Sequence, residues 1–291
     1  MKASLAFWKK ASEIYDATLC SPAGVRRQAA RRPAPFAGEK ISVAIPHHNR
    51  GRLIHRPLRN LLSDGRISEI LIVDDASDPG EYEALLANVR ELDRGRKVRV
   101  IRHEENLGAM GNKLECVKHA STEWLILLDS DNTIFQNYLD AVYRLPAWDP
   151  GVLYCPGWAF PYFSFKPLIG EHLDFARCAE LCRDATLRKI YIINDGNYFL
   201  NRAAYLENLG RLAALRHDVA DVMVANYLWL SNGLRLEVLR NAHYFHRIDA
   251  SSFWMRTQEE SRKRVFRIFE RFEKDERWED SLLQEFNGPG R

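Results

Sequence analysis

Asp129 and Asp131 stand one residue apart at the end of an apolar run, Trp124-Leu125-Ile126-Leu127-Leu128, with Ser130 between them. The run is long enough for a buried parallel strand and too short for a helix of its own. Side chains alternate along an extended strand, so two carboxylates in this spacing project to the same side. Oxygen ligands placed that way suit a hard divalent cation, which would take phosphate oxygens as its other ligands. Two more polar groups follow apolar runs in the same manner: Pro46-His47-His48-Asn49 after residues 41–45, and Asp74-Asp75 after residues 70–73. Asp and Asn are common turn formers, which explains any one of the three groups. It explains the three together less well.

The surrounding pattern says what must position them. Strands are predicted at 41–45, 69–73, 97–102 and 125–128, the first stopped by Pro46. Helices are predicted at about 57–62, 81–92 and 108–120. This alternation argues an α/β fold with a mainly parallel sheet flanked by helices. In a parallel sheet the three polar groups share the carboxyl edge, where open α/β sheets bind ligands. Farther on, 152–155 reads as a strand and 193–198 as a turn. A helix starts near Arg202, a buried helix covers 219–230, and 234–239 returns as a strand. Trp158, Phe160, Tyr162, Phe163 and Phe165 form an aromatic stretch that reads either as core or as a stacking platform for a sugar. The charge-rich tail from Thr257 carries Val265, Ile268, Phe269 and Phe272 on one helical face.

The 291 residues suffice for one large domain or two small ones, and 46% hydrophobic with 28% charged residues is ordinary for a globular chain. A net charge of +3 gives no argument for nucleic acid. Residues 1–35 combine Leu5, Phe7, Trp8, Ile14 and Tyr15 with Arg26, Arg27, Arg31 and Arg32. The plainer reading is a helix packed on the domain and a solvated linker; the sharper one is peripheral contact with an anionic membrane. Charged residues interrupt the N-terminus too early for a signal peptide, and no run reaches membrane-spanning length, so the expected location is cytoplasmic. The five cysteines match no disulfide or zinc framework; Cys178 and Cys182 fall on one helical face, where packing is expected.

Taken in order, residues 41–50 (ISVAIPHHNR), 70–77 (ILIVDDAS), Asn106-Leu107-Gly108 and 127–132 (LLDSDN) resemble the GT-A glycosyltransferases of family 2. The likeness covers roughly 41–145 and continues more weakly through Gly196-Asn197-Tyr198-Phe199, Asp221-Val222 and His246. It implies a Rossmann-like GT-A fold with N- and C-terminal helical extensions. The parts would be a helix and basic linker at 1–40, a nucleotide-sugar-binding half at 41–145, an acceptor-binding half at 146–255 and a helical tail at 256–291. It further implies that Asp129, Ser130 and Asp131 hold Mn²⁺ or Mg²⁺ against the donor diphosphate. Pro46, His48, Asn49 and Arg50 would line the nucleotide, Asp74 and Asp75 would read its base, with uracil the commonest case, and Asn106 and Gly108 would lead to the nucleoside. Gly196 and Asn197 would lie beside the sugar. The sequence departs from the family after Gly108: an Ala-Arg-Asn group is replaced by Gly111-Asn112-Lys113, with Lys113 in the arginine's place.

The acceptor hydroxyl loses a proton as it attacks, so a positioned carboxylate is expected as general base. By the resemblance this is Asp221, with Asp218 in reserve; plain helix capping is the alternative for both. His246 is either a third metal ligand or a structural histidine, and Arg247 could pair with phosphate oxygens. The expected function is an inverting, metal-dependent transfer from a nucleotide-diphosphate sugar, UDP-sugar favoured, to a glycan, lipid-linked sugar or protein acceptor. A sugar nucleotidyltransferase is disfavoured because Gly51 is the only glycine in the loop after the first strand. A non-catalytic nucleotide- or sugar-binding module is disfavoured by the retained Asp129, Asp131 and Asp221.

Overall fold

The computed structural model describes residues 38–183, 190–215, 220–247 and 258–287. The expected N-terminal helix, its membrane contact and Asp218 lie outside these described residues. The chain runs β1 (Ile41–His47), α1 (His55–Leu61), β2 (Ile67–Asp74), α2 (Pro79–Leu92), β3 (Val98–Arg102), α3 (Gly108–His119) and β4 (Trp124–Leu127). It continues through β5 (Thr133–Ile134), α4 (Gln136–Tyr143), β6 (Val152–Cys155), β7 (Trp158–Phe160), β8 (Phe163–Ser164), α5 (Phe175–Arg183), β9 (Phe199–Asn201) and α6 (Arg202–Leu209). It closes with α7 (Asp221–Ser231), β10 (Arg235–Val238), β11 (His243–Phe245), α8 (Gln258–Glu273) and α9 (Ser281–Asn287).

The main sheet has the order β10-β6-β9-β4-β1-β2-β3. β1 pairs in parallel with both β2 and β4, whereas β9 runs antiparallel between β4 and β6. The chain builds outward from β1 to β3 and then returns to the other side of β1. That reversal is a topological switch point, and its crevice opens at the carboxyl ends of β1 and β4. β1 and β4 are buried on both faces, as their continuous apolar runs require. A second sheet, β5-β11-β7-β8, stands beside the first. One sheet therefore joins strands from both expected halves of the domain.

Pro46 does not end β1, contrary to expectation. The Ala44 carbonyl accepts from Leu128 N–H on one side, and the His47 carbonyl accepts from Asp75 N–H on the other. Alternate residues thus address β4 and β2, and Pro46 addresses β4. The last β1–β4 register pair is Ala44 with Leu127, so no ladder bond is demanded of Pro46.

α7 is buried from Met223 to Leu230. Against it and α5 lies α8, where Phe272 packs its ring on Phe175 and Tyr227 at centroid distances of 5.0 and 5.1 Å. Ile268 and Phe272 are fully buried, which joins the tail to the core along the stripe read from sequence. Cys178 and Cys182 are buried thiols on α5; burial pushes the Cys182 thiol up to about 12, so both serve packing.

Gly51 begins the turn that sets α1 against α2. A Cβ there would fall 1.8 Å from the Glu81 carbonyl oxygen and 2.7 Å from Leu85 N. Both are helix backbone and cannot swing aside. Gly51→Ala should therefore lower unfolding stability by about 3 kcal/mol or more in urea titration; a loss under about 1 kcal/mol would mean that α2 shifts freely.

Candidate active site

The carboxyl end of β1 is tied to β2 through Asp74, whose side chain is fully buried. His47 Nδ1 lies 2.7 Å from Asp74 Oδ1, Ser77 donates to the same carboxylate, and Arg102 pairs with it at 3.4 Å. Burial alone would raise this acid, but the bonds from His47 and Ser77 outweigh it and hold the carboxyl below its usual range. Asp75 is 2% exposed, and its two oxygens accept the backbone N–H groups of Leu107 and Gly108 at 2.7 and 3.0 Å. It thereby anchors the start of α3, where Gly108 takes φ +80°. Burial pushes the Asp75 carboxyl up. Both acids of the expected base-reading pair thus also brace the backbone at this edge. The groups left facing outward at this edge are His48 and Asn106, with Asn49 and Arg50 half-buried. His48 donates Nδ1–H to the Asp75 carbonyl at 2.7 Å, and Asn49 accepts Asp78 N–H at 2.7 Å.

β4 ends at Leu127, and Asp129 to Asn132 form a turn closed by Asn132 N–H on the Asp129 carbonyl. The strand alternation expected to align Asp129 with Asp131 therefore does not reach them. Asp129 faces inward: its Oδ2 accepts the amides of Asn197 and Asn132 at 3.1 and 3.2 Å, and its own N–H donates to Asn197 Oδ1 at 3.0 Å. Asp131 turns instead to Arg50, 3.7 Å away. Ser130 is buried between them. Among the described residues no group of three His, Cys, Asp or Glu side chains is close enough to hold a metal ion, so the three-ligand set Asp129, Asp131 and His246 is not gathered.

His246 follows β11, its N–H donating to the Phe160 carbonyl at 2.7 Å. Tyr162, Phe163 and Tyr244 meet its ring edge-on at 5.7 to 6.1 Å. Burial drives its pKa down to about 4 against the pull of Asp129, so the imidazole is neutral and able to ligate. The aromatic stretch divides: Phe165 is core, whereas Trp158, Phe160, Tyr162 and Phe163 are half-buried around His246 and His243.

On the opposite wall Asp221 opens α7. Ala220 before it has φ 62°, a left-handed position that a non-glycine residue adopts only when its surroundings impose it. Lys113, from α3, donates to Asp221 Oδ2 at 2.6 Å. Lys113 is 8% exposed, and although burial disfavours its charge, Asp221 and then Asp129 more than restore it. Lys113 therefore sits beside the candidate base and within electrostatic reach of Asp129. Gly196 completes the wall: a Cβ there would lie 2.8 Å from Val222 Cγ2 and 3.8 Å from Lys113 Nζ.

The sequence reading missed Asp195, Asn132 and Tyr244. Asp195 is buried, and Asn197 N–H and the Tyr244 hydroxyl donate to it. Burial, helped by the charge of Asp129, pushes it up to about 7. Its Asp-Gly-Asn setting has the composition of a plain turn, so nothing local marked it.

If Lys113 serves Asp221, Lys113→Met should cut kcat by about 10²- to 10³-fold and change donor affinity by less than about threefold. Weakened donor binding with kcat retained, read from calorimetry beside steady-state kinetics, would return Lys113 to the donor.

Residues 42–210, more than half of the chain, match the model of Glycosyl transferase family 2. A relative, Glycosyltransferase GlyG of Streptococcus pneumoniae serotype 4, is 23% identical over 211 residues, covering 72% of this chain and 65% of the relative. The chain thus spans just under two thirds of that protein. Among solved structures, GalNAc-T7 with UDP, GalNAc and Mn²⁺ superposes with a TM-score of 0.54 at 15% identity, over 85% of this chain and 54% of that one. TarS 1–349 of S. aureus in complex with UDP-GlcNAc gives 0.53 at 17% identity, over 85% and 70%. These likenesses are of fold. With the sheet order, the switch point and the family match agreeing, the chain belongs to glycosyl transferase family 2 and adopts the GT-A fold.

Proposed function

We propose that this protein is an inverting glycosyltransferase that uses a nucleotide-diphosphate sugar, UDP-sugar favoured, and a divalent metal, Mn²⁺ or Mg²⁺. The observation that carries the reading is the juxtaposition at the switch point. The Asp129–Asp131 turn lies on one side, Asp221 on the other, and Lys113 is charged by both Asp221 and Asp129. UDP and UDP-GlcNAc in the structures of GalNAc-T7 and TarS support uridine as the first donor to try.

Carboxylate oxygens are ligands for a hard cation, and an imidazole is a softer one. By the family resemblance Asp129, Asp131 and His246 would hold the cation, although among the described residues they are not gathered into one set. When bound, such a cation supplies charge stabilisation to the departing diphosphate. Asp221 is the general base. Lys113 occupies Oδ2, so Oδ1 is the atom for the acceptor proton. As the acceptor oxygen bonds to the anomeric carbon, the bond from that carbon to the phosphate oxygen breaks. Its electron pair leaves with the diphosphate, and the acceptor proton passes to Asp221. One base opposite one leaving group gives inversion. The half-buried aromatics of β7 and β8 offer flat apolar faces to a glycan, lipid-linked sugar or protein-borne acceptor. Gly51 is packed against α2 backbone and not free to cradle phosphate, which again disfavours a nucleotidyltransferase.

A thermal-shift panel of UDP, GDP, CDP and TDP, each with Mn²⁺ or chelator, tests the donor reading. UDP with Mn²⁺ at a hundredfold excess over its Kd should add about 2.7 kcal/mol of stability; no shift with any nucleotide would sink it. Asp221→Asn should lower transfer by at least about 10²-fold and leave donor binding intact. Loss of both together would assign Asp221 a structural role.

A further inference from the structure

Asn226 takes no part in the transfer described above, yet it belongs to the helix that carries Asp221. The run from Met223 to Leu230 is buried, and Asn226, at 0% exposure, is its one side-chain amide. Asn is a weak helix former, and burying an amide costs stability unless its hydrogen bonds are made. Here they are made. Nδ2 donates to the Ile193 carbonyl at 2.7 Å and to the Asp195 carbonyl at 3.4 Å, and Oδ1 accepts the Tyr198 hydroxyl at 2.8 Å. Carbonyls only accept, which fixes the amide in this orientation.

All three partners lie in one stretch, residues 193–198. It runs from the one-turn helix Ile190–Asn194 to the start of β9 and contains Gly196 and Asn197, the residues expected beside the transferred sugar. This stretch has its own ties to the other side of the crevice. The Tyr138 hydroxyl donates to the Asn197 carbonyl at 2.8 Å, the Asn197 amide to Asp129 Oδ2 at 3.1 Å, and Leu127 N–H to the Tyr198 carbonyl at 2.9 Å. Toward α7 it is held at two levels. In the first turn of α7, Gly196 approaches Val222 so closely that a Cβ would fall 2.8 Å from Val222 Cγ2. About 6 Å farther along the helix axis stands the Asn226 amide. Apolar contact at the first level sets how near the two elements lie, but it has no direction. Hydrogen bonds at the second level do, and they limit how far α7 can slide or turn.

We propose that Asn226 is the positioning residue of the general base, locking α7 in register against residues 193–198 so that Asp221 stands at a fixed distance from the Gly196–Asn197 wall. The proposal deepens the function proposed above and rests on its reading of Asp221 as the base. Asp221 is the first residue of α7, so a slide or rotation of the helix is carried directly to its carboxylate. Apolar packing alone keeps a helix in the core while tolerating small shifts, and a misplacement of about 1 Å at a reacting group can cost about 10²-fold in rate. Fully buried, Asn226 touches neither donor nor acceptor.

The test uses the full chain. Rate is read as UDP release from a panel of UDP-sugars, affinity by calorimetry with UDP and Mn²⁺, and folding by urea titration. Asn226→Leu nearly keeps the side-chain volume and removes all three bonds; kcat should fall by about 10- to 100-fold while UDP affinity changes by less than about threefold. Added to Asp221→Asn, it should lower the residual rate no further, because it acts through that carboxylate. Asn226→Leu with Tyr198→Phe removes both ends of the hydroxyl bond. It should regain stability over Asn226→Leu alone and leave kcat low. Should Asn226→Leu fail to fold, Tyr198→Phe, which loses one bond of the three, carries the test with a smaller fall in kcat that again vanishes in the Asp221→Asn background. Wild-type kcat in folded Asn226→Leu, a kcat that recovers with stability in the paired variant, or a further fall beside Asp221→Asn would overturn the proposal and leave the base reading standing. Wild-type rate in Asp221→Asn, or no UDP release by the wild type from any UDP-sugar, would overturn the function proposed above, and this proposal with it.

Discussion

The paired bonds between Asp129 and Asn197 are the interaction on which the rest of the site depends. Each residue both donates and accepts: Asp129 N–H to the amide oxygen, and the amide to the carboxylate. The pair bridges the end of β4 to the start of β9 across 68 residues of sequence. Tyr138 holds the Asn197 carbonyl from below and Asp195 holds its N–H. A charged acceptor of this kind is costly to leave unpaired once water is excluded. Asn197 is therefore a means of keeping the Asp129 carboxylate aimed in one direction.

The neighbouring acids are handled in three different ways. Asp74 is held ionised by hydrogen bonds and works as an internal strut. Asp221 pairs with a buried ammonium, while Asp131 meets Arg50 at the edge of solvent. Asp195 is raised by burial and depends on two donors. Like charges crowded into a low-dielectric crevice repel one another unless cations intervene. Lys113 is the cation that intervenes between the two walls, which is why its place beside Asp221 matters more than its match to a family position.

Much of this was legible in the sequence. The first four strands and three helices follow from apolar runs and helical spacing, and their polar ends meet at one edge as a parallel sheet requires. The tail stripe of Ile268 and Phe272 was readable for the same reason. What escaped is short or conditional. β9 has three residues and β5 and β8 two each, too few for any periodicity to register. The DxD spacing was read as strand alternation, but the chain leaves the sheet before reaching it, so the two carboxylates part. Asp195 and Tyr244 matter only through partners 49 residues apart, and pairings of that kind leave no local mark. Lys113 was noticed for its charge, while its partner 108 residues away was not.

The antiparallel course of β9 has a consequence for how the protein is made. The acidic turn after β4 emerges early in synthesis, but its clamp arrives with Asn197 and the counter-ion's partner only with Asp221. Contacts at such separation close long loops and form late. A nascent chain that has finished β4 would carry its carboxylates on an open sheet edge without the residues that aim them. Assembly of the crevice thus waits for the second half of the domain, and chemistry becomes available only after the sheet has been completed from its far side.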